Sequence, residues 1–374
     1  MTVSYSASRG QANVAPSALR KVVAPFVNPG IFDFWVSKLN PAWSWDRPLA
    51  RVVERKVEAL DTVTLLLKPN AHCGTFVPGQ HINVTAEVNG RRTTRSYSLT
   101  GIPRRDGRLS LTIKRVDKGV LSTHLVQHTQ VGDVLELGPA FGEMTLPAKP
   151  EGEWLFLAAG SGITPLMSLT RSLVAQNMPV DLTLIYWAKT RAELCFVREL
   201  RELATQFPRF KLQFVLEKEP QLLQGEESGL ISAEQPARVV GDLSAKQVYA
   251  CGPSGFVDAA RGLTEGQVRS FAAEGFTPVA PITVADAATA TVKVHLAASG
   301  RDLEIPTNLS ILDALEAQGL KPKVGCRMGV CRTCVCTRTE GTTLDMQSGE
   351  QDAQPGIDVR ICMTRARTDL TLDL

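Results

Sequence analysis

The chain lacks the long apolar run of a membrane-spanning helix; nothing in its 374 residues approaches the roughly 20 consecutive apolar positions that a bilayer requires. The first ten residues, from Met1 to Gly10, contain no apolar core of the kind a secretory leader needs, so none is expected. Strong charge of one sign is missing. With 41 basic and 38 acidic side chains the formal charge is +3, too small and too dispersed to suggest a nucleic-acid partner. A disulfide framework is absent as well. Of eight cysteines, four form a pattern near the C-terminus, and Cys73, Cys195, Cys251 and Cys336 are scattered. That usage suits a reducing compartment. These absences predict a cytoplasmic protein, and the length predicts two or three domains, each with its own core.

What is present begins with Cys326-Arg-Met-Gly-Val-Cys331-Arg-Thr-Cys334, followed by a distant Cys362. Three thiols spaced C-x4-C-x2-C with a fourth far downstream is the plant-type spacing of a [2Fe–2S] cluster. A short loop can wrap a small cluster so that close-set sulfurs reach both irons, and a thiolate from another strand closes the cage. Gly325 and Gly329 would let the backbone approach the sulfides. A zinc site usually pairs two C-x2-C knuckles, and only one is found here. A few buried thiols are the remaining alternative.

In chain order, residues 1–48 form an extension. Residues 1–16 are small and polar, the composition of a mobile tail. Residues 17–45 carry Phe26, Phe32, Phe34, Trp35, Trp43 and Trp45. They read either as a segment packed over the next domain or as an amphipathic element lying on a membrane or a membrane-bound partner. Residues 49–147 alternate in short strands with turn signals between them, which predicts a closed antiparallel barrel. Within this block, Arg95-Ser-Tyr97-Ser98 lies on an extended segment. Gly119-Val-Leu-Ser122 then opens an apolar helix, where unpaired N–H groups would suit an anion. Alone, either piece is an ordinary strand or an ordinary cap.

Residues 148–277 change period. Glu153–Ala159 is a continuous apolar strand of the parallel type, running into Gly160-Ser-Gly162-Ile-Thr164-Pro165 and a helix. Strand and helix patterns then alternate, with one helix expected over Arg191–Ala204, and predict a doubly wound α/β sheet. The glycine pair after the first strand places N–H groups where a pyrophosphate can sit. Lys189 and Arg191 follow the second strand, with no acid before Glu193. This favours the 2′-phosphate of NADPH over NADH, although both cations could equally be solvated helix-start residues. Residues 278–290 are small and proline-containing, a linker. Residues 291–374 give a strand pair, an amphipathic helix over Leu309 to Leu320, the cysteine loop and a last strand.

In this order the motifs resemble the ferredoxin–NADP reductase superfamily, joined to a C-terminal plant-type ferredoxin of β-grasp fold. The R-x-Y-S strand matches Arg95, Tyr97 and Ser98, and the flavin-phosphate turn matches Gly119 and Ser122. The C-G-P turn matches Cys251, Gly252 and Pro253, and an acidic–aromatic ending matches Glu274 and Phe276. The resemblance implies Tyr97 against the flavin, Ser98 at its N5 and Arg95 on phosphate oxygens. It also places Cys251 beside the nicotinamide and Glu274 near the ring, and makes Cys326, Cys331, Cys334 and Cys362 the four cluster ligands. Without their neighbours, Cys251 would be a small buried hydrophobe and Glu274 a solvated carboxylate.

The implied activity is an oxidoreductase moving electrons from NAD(P)H through FAD and the cluster to an oxygenase. A plant-type cluster near about −400 mV is low enough for that task. The aromatic extension and the cluster loop resemble reductases that serve membrane di-iron fatty-acyl desaturases or alkane hydroxylases. Two alternatives remain. One is the FMN-carrying reductase of a ring-hydroxylating dioxygenase; the other is a redox-responsive interaction module without turnover.

Overall fold

The computed structural model describes residues 28–276, 290–325, 327, 329, 331–346 and 349–374. The expectations for residues 1–16, for nearly all of the 278–290 linker and for Cys326 lie outside the described residues.

The first domain is antiparallel. Its strands are β1 (Leu49–Ala59), β2 (Thr62–Pro69), β3 (His81–Val88), β4 (Arg91–Ser98), β5 (Leu109–Lys114) and β6 (Val134–Phe141), in the order β4-β3-β6-β1-β2-β5. A bridge between Leu99 and Leu111 brings the two edges together and closes the barrel. Alternation decides the faces. Ile82, Val84 and Ala86 point into the core with Leu65, Leu67 and Leu111, while His81, Asn83 and Thr85 take the other face.

The second domain is a parallel sheet of β7 (Glu153–Ala159), β8 (Asp181–Ala188), β9 (Phe210–Leu216), β10 (Glu226–Ser228), β11 (Lys246–Gly252) and β12 (Ser270–Gly275). Their order is β10-β9-β8-β7-β11-β12. Both faces of β7 are buried, Trp154, Phe156 and Ala158 in one cluster and Leu155 and Leu157 in another. That explains its unbroken apolar run. The helix expected over Arg191–Ala204 is instead a short 3-10 turn, Arg191–Glu193, followed by a helix at Val197–Gln206. The break has a tertiary cause. Phe196 adopts φ 60°, and its N–H donates to Glu58 of the barrel at 3.2 Å.

The third domain contains β13 (Thr291–Leu296), β14 (Arg301–Pro306), β15 (Val335–Glu340), β16 (Thr343–Asp345), β17 (Gln351–Asp352), β18 (Ile357–Arg360), β19 (Thr364–Ala366) and β20 (Leu370–Leu372). A five-stranded sheet, β14-β13-β20-β15-β18, carries the helix Ile311–Ala317 on its face, and β17-β16-β19 form a small second sheet. Leu309, expected within the apolar helix, precedes it and is exposed.

Before the barrel, a helix spans Pro29–Leu39 and buries none of its residues. What packs is the segment after it. Asn70 donates to the carbonyls of Ala42 and Arg47, and the carboxylate of Asp33 accepts from Ser44 and from the N–H of Trp45.

Candidate functional site

The site is built on β3 and β4, which pair as a hairpin. His81 lies opposite Ser98 and Asn83 opposite Ser96, all on the outer face. Ser98 is buried and Ser96 half-buried. Tyr97 lies opposite Ile82 and leans on the barrel core, where burial pushes its phenol above the usual range. Arg95 is exposed, with one guanidinium nitrogen donating to the carbonyl of Thr94 at 2.7 Å.

Gly119 caps the helix Val120–Gln127. A side chain there would strike Ser122 Oγ at 2.4 Å. The Ser122 hydroxyl donates to the Gly119 carbonyl and accepts from the N–H of Val116, so it tightens the turn and leaves the helix-start amides aimed outward.

In the nucleotide domain, β7 leads into a 3-10 turn, Gly160–Gly162, and the helix Ile163–Ala175. Gly160 needs φ 55°, and a Cβ on Gly162 would stand 1.9 Å from the carbonyl oxygen of Cys251. The glycine loop and the Cys251-Gly252-Pro253 turn are thus in direct contact. Thr164 bonds back to the Ser161 carbonyl, Pro165 is buried in the first turn, and Pro253 precedes the helix Ser254–Thr264. Cys251 is fully buried, its Sγ 3.3 Å from Met144 Sδ, and desolvation raises its thiol well above the ordinary value. A parallel register sets Glu274 beside Cys251, and Phe276 donates its N–H to the Gly252 carbonyl.

Glu274 reaches across to the barrel. Its carboxylate lies 3.0 Å from His81 Nε2, both side chains being nearly buried. The imidazole stacks on Phe141 and meets the edge of Phe276. His81 Nδ1 has no hydrogen-bond partner among the described residues. His81 was not among the residues singled out from sequence, yet it joins Ser98 to Glu274. A cavity of about 330 Å³ between Glu54, Lys56 and Glu58 of the barrel and Arg171, Phe196 and Glu199 contains none of these groups. Its wall is an Arg171–Glu199 ion pair, so it reads as interdomain packing.

Lys189 is exposed at the end of β8. Arg191 is engaged, contacting Glu219 at 3.1 Å, Glu226 at 2.7 Å and the Gln221 carbonyl at 2.6 Å. The Glu226 carboxyl has no exposed surface, and the Arg191 guanidinium holds it below the usual carboxylate range.

In the third domain the Sγ atoms of Cys334 and Cys362 face each other at 3.1 Å, and that contact lowers the Cys334 thiol to about 7. Cys331 is near enough to act electrostatically on Cys334, and its Sγ also packs against Gly325, where a Cβ would lie 2.6 Å away. Arg327, Gly329 and Arg332 all take positive φ, winding the loop tightly. The fourth ligand, expected on a separate strand, lies instead in the turn between β18 and β19, and soft thiolates converging from that turn and from the loop fit a [2Fe–2S] cluster. Cys326 lies outside the described residues. Cys336 is buried, and desolvation raises it to about 12, as befits a core residue.

A barrel, a dinucleotide-type sheet and a four-cysteine β-grasp domain define a flavin and iron–sulfur electron-transfer protein. Three family models match in that order: an oxidoreductase FAD-binding domain at residues 50–145, an oxidoreductase NAD-binding domain at 156–262, and a 2Fe-2S iron-sulfur cluster binding domain at 294–367. The chain is 33% identical over 363 residues to an NADPH oxidoreductase of Mycobacterium tuberculosis, covering 96% of this chain and 92% of that one. It is 32% identical to the ferredoxin reductase component of a 3-ketosteroid-9-alpha-monooxygenase from the same species, over 79% of this chain and 84% of that one. The fold also resembles phthalate dioxygenase reductase, with a TM-score of 0.56 at 24% identity and 87% and 97% coverage. The chain belongs to the family of NAD(P)H oxidoreductases that combine FAD-binding, NAD-binding and 2Fe-2S domains. Among the described residues no helix is long and apolar enough to cross a membrane.

Proposed function

We propose that the chain draws electrons from NADPH and delivers them singly to an oxygenase, with a membrane di-iron desaturase or hydroxylase as acceptor. FAD, when bound, would accept one hydride, an electron pair, and release its electrons singly, and the cluster would carry one at a time. The observation that carries the reading is on β3. His81 and Asn83, two residues apart on one face, meet the nucleotide domain through Glu274 and the ferredoxin domain through Thr333. The flavin strand is therefore where both domains arrive.

On this reading the outer-face Ser98 hydroxyl would hydrogen-bond at flavin N5, and the buried His81–Glu274 pair behind it would serve as the nearest protein group for a proton. Cys251 supports the nicotinamide as a neutral, dry thiol. The loop Gly160–Pro165 holds the pyrophosphate on backbone amides, and Gly119 with the helix it caps holds the flavin phosphate. Arg95 is free to turn from the Thr94 carbonyl toward the same phosphates.

Lys189 meets the 2′-phosphate of NADPH, while Arg191, occupied by two carboxylates, shapes the loop. Lys189→Ala should lower kcat/KM for NADPH about tenfold, the worth of one charge-assisted hydrogen bond, and leave NADH unaffected. An equal loss with both nucleotides would contradict this.

A membrane acceptor is supported by the helix Pro29–Leu39, whose Ile31, Phe34, Trp35 and Leu39 are all exposed at one-face spacing beside Lys38. Replacing both Phe34 and Trp35 with Ser should abolish co-sedimentation with anionic vesicles while the protein stays soluble and reduces ferricyanide. Unchanged sedimentation would point to a soluble acceptor.

A further inference from the structure

The nucleotide domain is fastened to the barrel at many points. Leu60 N–H donates to the Ala192 carbonyl at 2.7 Å, Ser168 to the Gly101 carbonyl at 2.6 Å and Arg171 to the Thr100 carbonyl at 2.7 Å, and Lys114 pairs with Glu193 at 2.5 Å. Asn83 forms a contact of another kind. Its amide nitrogen donates to Thr333 Oγ1, between two cysteines of the cluster loop, at 3.2 Å. Its carbonyl oxygen accepts from Ser96 Oγ at 2.6 Å. The amide therefore bridges Ser96 on its own hairpin and Thr333 on the loop. Space around Asn83 is tight. A Cβ on Gly138 would approach Asn83 Cβ at 3.1 Å, and one on Gly325 would approach Asn83 Nδ2 at 3.2 Å, Thr333 Oγ1 at 2.8 Å and Cys331 Sγ at 2.6 Å. One side chain of the flavin hairpin thus touches the cluster loop where Gly325, Cys331 and Thr333 meet.

We propose that Asn83 is the latch that seats the ferredoxin domain, holding the Cys331 side of the cluster loop against the flavin strand and so setting the speed of flavin-to-cluster transfer. The inference rests on the electron-transfer reading above. Asn83 is a positioning residue, acting through Thr333. Electron transfer falls steeply with distance, so a loop that leaves the strand slows transfer even when both cofactors are intact. A single neutral hydrogen bond contributes modestly, so the latch is weak enough to open. An openable latch lets the same cluster face turn to an external acceptor.

The test uses full-length protein carrying FAD and cluster. Asn83→Ala and Thr333→Val should slow cluster bleaching after mixing with reduced nucleotide by about fivefold, the population shift expected from losing one hydrogen bond. Flavin bleaching and ferricyanide reduction should stay at wild-type rates. Amide hydrogen exchange in residues 81–98 and 331–336 should quicken in both variants. Thr333→Ser, which keeps the hydroxyl, should restore both readouts. Unchanged cluster bleaching and unchanged exchange in Asn83→Ala would overturn the latch. If wild-type protein is not reduced by either nucleotide, the functional reading fails, and the exchange comparison still decides the latch.

Discussion

Gly162 has no room for a methyl group, because the Cys251 carbonyl fills the place a Cβ would take. Gly162→Ala must therefore push the glycine loop and the C-G-P turn apart. A loss of about 2–4 kcal/mol in urea unfolding is expected, with a raised KM for nucleotide. A stable variant with normal KM would show that the two turns are not rigidly coupled. The scattered thiols predict a pH dependence. Burial raises Cys73 and Cys195 to about 11 and lifts Cys251 well above the ordinary 9.0. Below about pH 9 both folded and unfolded chains keep these protons. Above it the unfolded chain releases them first, so their contribution to stability declines as pH rises from about 9 toward 11. The urea midpoint should fall between pH ~8 and pH ~10.5, and Cys195→Ala should flatten that fall. An identical slope in the variant would place the loss elsewhere.

The β3–β4 hairpin shows how much of the site could be read in advance. Val88-Asn89-Gly90-Arg91 is a two-residue turn signal, and both central residues take positive φ, 52° and 71°. Counting back from Val88 opposite Arg91 sets His81 opposite Ser98 and Asn83 opposite Ser96. The partners of the flavin strand were therefore legible, although the motif alone drew the eye to Arg95, Tyr97 and Ser98. Glu274 was legible as a motif, but its contact with His81 was not, because it depends on how two domains dock. The same applies to the helix broken at Phe196, where a carboxylate from another domain overrides an amphipathic pattern. Arg191 is the sharpest lesson. A cation after the second strand reads as a phosphate ligand, yet its carboxylates arrive from residues 219 and 226, far away in sequence. Arg191→Ala should lower the melting temperature by leaving buried Glu226 with only the longer Arg201 contact at 3.3 Å, a result Lys189→Ala should not share. Equal melting temperatures in the two variants would remove Arg191 from its structural role.

At the scale of the whole molecule, three separately cored units meet on one hairpin, and the flavin barrel, first in the chain, contacts both the nucleotide domain that follows it and the ferredoxin domain at the end. The domain sequence was visible in the periods of the chain, from alternating to continuous apolar strands and then to spaced cysteines. The meeting of all three on β3 was not, since nothing local encodes it. The modular scheme predicts that Cys331→Ser loses cluster iron and delivery to an acceptor, while nucleotide-driven ferricyanide reduction persists on the first two domains. Iron content and the two activities check it; loss of ferricyanide reduction in a folded variant would contradict it. The most direct test of the central claim is rapid mixing of the loaded wild-type protein with NADPH, followed at flavin and cluster wavelengths. The account predicts that flavin bleaches first and the cluster second. A cluster that stays oxidised while the flavin is fully reduced would contradict it.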